Sequence, residues 1–165
     1  MKIRLIGINA RYAHSCLTLF YLRNELEKFL PVVKVEICQF TMNDPYYSLL
    51  QRLAADQPDC LFFSALIWNS DLVERLVADL LSLENQLKIV VGGPQAEIVG
   101  HTCGPHERLT IFSGDIEAAD LNFFNDLQQG TLQASYRASF LQSTGKTLDY
   151  PYRDEDFDLH LRNRA

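Results

Sequence analysis

The apolar positions of this chain change period again and again. Residues 2–9 (KIRLIGIN) are apolar and β-branched, whereas over 17–30 the residues Leu19, Leu22, Leu26, Phe29 and Leu30 recur near helical spacing. The first pattern predicts a strand and the second a helix. Residues 32–40 (VVKVEICQF) alternate as a strand does, and Asn43-Asp44-Pro45 supplies a cap and a first-turn proline for a helix through Ala55. Residues 59–67 (DCLFFSALI) are nearly all apolar, as in a strand covered on both faces of a parallel sheet. Asn69-Ser70-Asp71 then caps a helix over 72–83. Residues 88–91 form a fourth buried strand ending in Gly92-Gly93-Pro94, and 109–112 a fifth ending in Ser113-Gly114-Asp115. A helix from about Glu117 to Leu127 closes at Gly130.

Strands alternating with helices predict an α/β fold, a flavodoxin-like (Rossmann-like) three-layer sandwich, because right-handed crossovers cover both faces of a parallel sheet. The expected sheet has five strands in order 2-1-3-4-5 and occupies residues 1–130. Residues 131–165 change character: 134–141 can form a strand, Ser143-Thr144-Gly145-Lys146 reads as a turn, and an acidic stretch follows Tyr150-Pro151-Tyr152. They read as a connector.

Composition narrows the possible partners. Of the 165 residues 47% are hydrophobic and 22% charged, the balance of a globular protein with a real core. The net charge of −6 argues against nucleic acid and anionic membranes, whose binders concentrate Lys and Arg. No apolar run is long enough to span a bilayer, and residues 1–6 carry no small-residue cleavage site, so a cytoplasmic location is expected. Cys16, Cys38, Cys60 and Cys103 are scattered without paired spacing, as thiols are in a reducing compartment.

In an open parallel sheet, ligands bind at the carboxyl ends of the strands beside the point where strand order reverses. The dinucleotide signature G-x-G-x-x-G is missing there, since Gly7-Ile8-Asn9-Ala10-Arg11-Tyr12 offers one glycine. Gly145-Lys146-Thr147 lacks the earlier glycine of a phosphate loop. A phosphoreceiver needs acids after strands one and three and a lysine after strand five, where Asn9, Ser64 and Ser113 stand. What remains suits a large flat ligand: His14 after strand one, Ser64-Ala65-Leu66 after strand three, and Gly92-Gly93, bare backbone, after strand four.

This pattern resembles the cobalamin-binding fold, whose signature is D-x-H-x-x-G after strand one, S-x-L after strand three and G-G after strand four. Tyr12-Ala13-His14-Ser15-Cys16-Leu17, Ser64-Ala65-Leu66 and Gly92-Gly93 occupy those slots. It is similar in particular to radical SAM proteins with an amino-terminal cobalamin domain, which open with N-A-x-Y-x-H-S and carry G-G-P and G-E-G-E loops. Residues 9–15, Gly92-Gly93-Pro94 and Gly114-Asp115-Ile116-Glu117 correspond. The resemblance covers essentially the whole chain. It implies that Tyr12, His14, Ser15, Ser64, Leu66, Trp68, Gly92, Gly93, Pro94 and Gly114 contact cobalamin, and that residues 131–165 lead to a radical SAM barrel of the same polypeptide. That barrel would hold an iron-sulfur cluster and S-adenosylmethionine for methyl transfer or related radical chemistry; its C-x-x-x-C-x-x-C motif is absent here. His14 is the metal candidate, as lower ligand of cobalt. Tyr12 replaces the aspartate that would orient its imidazole and Leu17 replaces the glycine, so weak or no axial coordination is expected.

Plainer readings stand beside these. His14 can be an ordinary loop histidine, Ser64 can satisfy a strand-end backbone group, and Trp68 can be core. His101-Thr102-Cys103-Gly104-Pro105-His106 lacks a fourth ligand for a closed zinc site. The acidic run from Asp154 reads as a solvated face. No nucleophile–base pair recommends an enzyme in its own right. The alternative is a flavodoxin-like interaction or spacer domain that has lost its cofactor.

Overall fold

A computed structural model describes residues 1–10, 15–83, 86–140 and 148–156. The elements follow in the order β1 (Lys2–Asn9), α1 (Leu17–Phe29), β2 (Lys34–Thr41), α2 (Tyr46–Ala54), β3 (Cys60–Ser64), α3 (Ser70–Ser82), β4 (Lys88–Gly92), α4 (Ala96–Cys103), β5 (Leu109–Ser113), a short 3₁₀ turn Ile116–Ala118, α5 (Leu121–Gln129) and β6 (Ser135–Arg137). All strand pairs are parallel, and the order across the sheet is β2-β1-β3-β4-β5-β6.

The predicted order 2-1-3-4-5 is present, but the sheet has six strands where five were expected. The sixth is Ser135-Tyr136-Arg137, which pairs with Ile111-Phe112-Ser113 of β5. Its ladder rests on backbone bonds, Ile111 N–H to Ala134 O at 3.0 Å and Ala138 N–H to Ser113 O at 2.8 Å. The strand falls within 134–141, which the sequence offered as a strand of the connector; an edge strand needs little apolar surface, so composition did not assign it to the sheet.

Side-chain alternation sorts the core into two layers. Ile3, Leu5, Phe62, Val90 and Phe112 pack with α1 and α5 on one face. Ile6, Ile8, Leu61, Phe63, Ile89 and Val91 pack with α2, α3 and α4 on the other. At the amino end of the sheet, two buried arginines cap helix C-termini. Arg4 Nη1 donates to Arg52 O at 3.0 Å and Ala55 O at 2.8 Å after α2, and Arg108 Nη2 donates to Leu81 O and Leu83 O after α3. These cations satisfy carbonyls that the helices leave unpaired. Apolar packing and caps thus fix one end of the sheet, leaving the carboxyl end to loops.

The final described segment lies on the outer face of α1. Tyr152 packs against Phe20 in a tilted arrangement with ring centroids 4.6 Å apart, and Asp156 is buried against Arg23. The acidic run beginning at Asp154 is therefore not wholly solvated, because the Arg23 guanidinium draws Asp156 inward. Among the described residues no helix is long and apolar enough to cross a membrane.

Candidate functional site

A cavity of about 630 Å³ opens at the carboxyl edge of the sheet, between α1 and the ends of β3, β4 and β5. Its origin lies in side-chain size along one face. Phe62 pairs with Val90 and, two residues on, Ser64 pairs with Gly92. A period of two puts Ser64 above Phe62 and Gly92 above Val90 on the same face. Bulky apolar residues make the floor, small ones leave space over it, and Leu19 and Leu22 of α1 roof the gap.

Gly92 and Gly93 contribute differently. A Cβ built on Gly92 meets only Phe112 O, at 3.8 Å, so the missing side chain of Gly92 is empty space. Gly93 has φ +96°, and a Cβ there falls 2.6 Å from Ala65 O. Its bareness lets the β4 loop lie against the end of β3, where Ala65 N–H donates to Gly92 O at 2.8 Å and Gln95 N–H to Ala65 O at 3.1 Å. Gly114 likewise has φ +100° and sits against the Ala138 backbone.

Of the ten residues singled out in the sequence, Ser64, Leu66, Gly92, Gly93, Pro94 and Gly114 line this cavity. Trp68 does not line it; it sits half-exposed at 52% beside exposed Ile67 in the loop that follows β3. Ser15 is half-buried just before α1. Tyr12 and His14 lie outside the described residues.

The loop carrying Trp68 is held by Asn69, which is only 1% exposed. Its Oδ1 accepts from Leu66 N–H at 2.7 Å, and its Nδ2 donates to Ile8 O at 3.0 Å and Ser64 O at 3.1 Å. Asn69 thus ties the ends of β1 and β3 together rather than capping α3 by its side chain, as the sequence suggested. Asn9 plays a similar part between β1 and β2, with Nδ2 2.7 Å from Gln39 Oε1, which also accepts from Cys16 N–H at 3.3 Å. Gly7 permits that approach, since a Cβ there would lie 3.0 Å from Cys16 Cβ.

Carboxylates gather at the cavity mouth in Glu97, Asp115 and Glu117, and no Lys or Arg is among its described lining residues. Glu97 accepts from Ser113 Oγ at 3.0 Å and from Arg137 Nη2 at 3.2 Å. Asp115 and Glu117 were in view as part of the loop after β5; sequence reasoning missed Glu97, the apolar floor, and Phe140 at the rim. Stepping back two positions from Ser64 and Gly92 would have found Phe62 and Val90.

Among the described residues no group of three or more His, Cys, Asp or Glu side chains is placed to hold a metal ion. Cys103 Sγ lies 3.7 Å from Glu74 O, and His106 Nδ1 accepts from Arg108 N–H at 3.1 Å. Burial first, then the charge of Glu36, pushes the Cys38 thiol up to about 11, and burial also raises Cys60 and Cys103. A raised pKa disfavours the thiolate, which is the reactive form.

No protein-family model matches the chain, and no curated protein sequence does. Among solved structures, it is similar to a cobalamin-binding protein from Desulfitobacterium hafniense DCB-2, with a TM-score of 0.53 and 19% identity over 80% of this chain. The match spans 59% of that protein's length, and at this identity the likeness is one of fold.

Proposed function

We propose that this chain is a cobalamin-binding module, with the corrin over the carboxyl edge of the sheet and the nucleotide tail in the cavity under α1. The observation that carries the reading is the empty volume at Gly92, over a floor of Phe62 and Val90 and beside the Ser64 hydroxyl. About 630 Å³ lies within the roughly 300–1,000 Å³ usual for small-molecule pockets. An apolar floor with a few polar groups above it suits a flat heteroaromatic ring with a polar tail. Exposed Trp68 and Ile67 offer an apolar surface beside the opening. The structural likeness to a cobalamin-binding protein and the S-x-L and G-G-P motifs point the same way.

Residues 1–130 would form the binding domain and 131–165 the connector to a radical SAM barrel carrying an iron-sulfur cluster and S-adenosylmethionine. When bound, cobalamin supplies methyl-transfer or related radical chemistry. This chain's part is to position the cofactor and shield its tail. Ser15 and Gly114 join the contact set in this reading, with Tyr12 and His14 completing the loop after β1.

One observation favours the second reading, a spacer that has lost its cofactor: the described lining residues include three carboxylates, Glu97, Asp115 and Glu117, and no Lys or Arg. Incubation with hydroxocobalamin decides between the two. Retention of a red, stoichiometric complex through desalting supports the binding module; a colourless protein refutes it. Paramagnetic resonance of the cobalt(II) complex then tests His14, since a nitrogen triplet lost in His14→Ala assigns it as lower ligand.

A further inference from the structure

Resting on that reading, we infer that the cavity selects corrinoids whose lower base is a benzimidazole or similarly apolar ring, and disfavours those carrying a purine. The reason is the chemistry of the deep surfaces. Phe62 and Val90 form the floor, Leu19 and Leu22 the roof, and Phe112 and Ile116 the far wall. All six belong to one buried apolar cluster, and none has a polar side-chain atom.

A benzimidazole places its carbocyclic edge against such surfaces and leaves no polar atom dry. A purine carries an exocyclic amine or oxygen and further ring nitrogens on that same edge. Each loses water on entry and finds no partner on the floor. The Ser64 hydroxyl, one layer above the floor, can serve the near nitrogen of either ring and does not discriminate. Gly92 controls admission: its φ is not in the left-handed region, and a Cβ there would have only Phe112 O, at 3.8 Å, within contact distance.

The test is equilibrium titration of the full chain with cobalamin, its adenine-base analogue and cobinamide, which lacks the nucleotide loop. All are used in excess cyanide, so that the lower base is off cobalt in each and the titration reads the cavity alone. Cobalamin is expected to bind at least about tenfold more tightly than the adenine form, the usual penalty for burying an unpaired polar group. In Gly92→Leu the affinity for cobalamin falls to that for cobinamide, which itself is unchanged. In Val90→Thr, which sets a hydroxyl into the floor at nearly constant volume, the ratio between the two bases narrows. Circular dichroism verifies that both variants fold. Equal affinity for the two bases in the parent overturns the selection and spares the proposed function. Failure of every corrinoid to bind overturns both.

Discussion

Asp156 grips Arg23 with both carboxylate oxygens, at 2.5 and 2.7 Å, across 133 residues of sequence. Pro151 O accepts from Arg23 Nη2 and from Asn24 Nδ2, both at 3.2 Å, and Arg153 reaches Asn24 and Glu27. Helix α1 therefore has the sheet and cavity on its inner side and this clasp on its outer side. Burial by itself would raise the Asp156 carboxyl. The hydrogen bonds from Arg23 and the Arg153 backbone N–H, with the charges of both arginines, outweigh burial and hold it below the usual aspartate value.

Breaking the pair by Asp156→Ala leaves a buried guanidinium uncompensated unless the segment peels away. Peeling limits the loss, so an effect of about 1–3 kcal/mol is expected, below the full cost of an orphaned buried charge. Trypsin should then cut faster after Arg153. The pH dependence has a definite sign. A carboxyl depressed on folding contributes stability that is present above its unfolded value, about 3.9, and lost as pH falls through the folded one. The Tm gap between parent and variant should be constant near neutrality and close below about pH 4. A gap that widens in acid would contradict this.

The two adjacent glycines should respond oppositely to alanine. At Gly93 the new Cβ strikes the Ala65 backbone and the left-handed φ adds strain, so a loss of about 1–3 kcal/mol is expected. Gly92→Ala should be neutral within about 0.5 kcal/mol, since its Cβ enters open space. Urea unfolding of the two variants measures the contrast. Equal destabilisation would mean that the gap at Gly92 is not there.

Asn69→Ala removes three hydrogen bonds at a buried position and strands Leu66 N–H and the carbonyls of Ile8 and Ser64. A loss of about 2 kcal/mol or more is expected. Because Trp68 is the sole tryptophan and lies within that turn, its emission should shift in the still-folded variant. Unchanged stability and emission together would remove Asn69 from its place as the pin of this loop.

Arg4→Lys keeps the charge but not the planar fork that serves Glu36, Arg52 O, Ala55 O and Asp56 at once. A lysine can meet part of that set, so about 1–2 kcal/mol should be lost, and more in Arg4→Met. Thermal denaturation at low and high salt tests this. The backbone-capping share resists salt, while the Glu36 and Asp56 shares are partly exposed and screened.

The strands that carry the fold were legible because burial on both faces writes itself as apolar runs; residues 2–9, 60–64, 88–92 and 109–113 all fell within or beside the expected spans. Elements that bury little were legible only in part: 134–141 was offered as a strand but not as part of the sheet, and α4 was not foreseen. β6 is three residues long, and α4 is a short helix containing Gly100, which lets it pack on Ile111. The sequence placed no helix between β4 and β5. The last helix was expected from about Glu117, yet Asp120 caps it by accepting from Asn122 N–H at 2.8 Å, while Gly130 closes it as expected. For the candidate site, small residues at strand ends marked the rim. The floor and the partners of Asn69 and Asp156 depend on registers and long-range approaches that no local pattern encodes.

The two edges of the sheet are unequal. β2 is eight residues long, and its outward-facing positions include exposed Lys34 and Glu36; β6 offers a ladder of only three residues. A further strand would have to desolvate fixed charges at one border, and at the other would gain too few backbone bonds to repay its ordering. Growth of the sheet by addition of a neighbouring molecule is disfavoured at both borders. The charge of one terminal strand and the shortness of the other thus both oppose edge-to-edge pairing between copies.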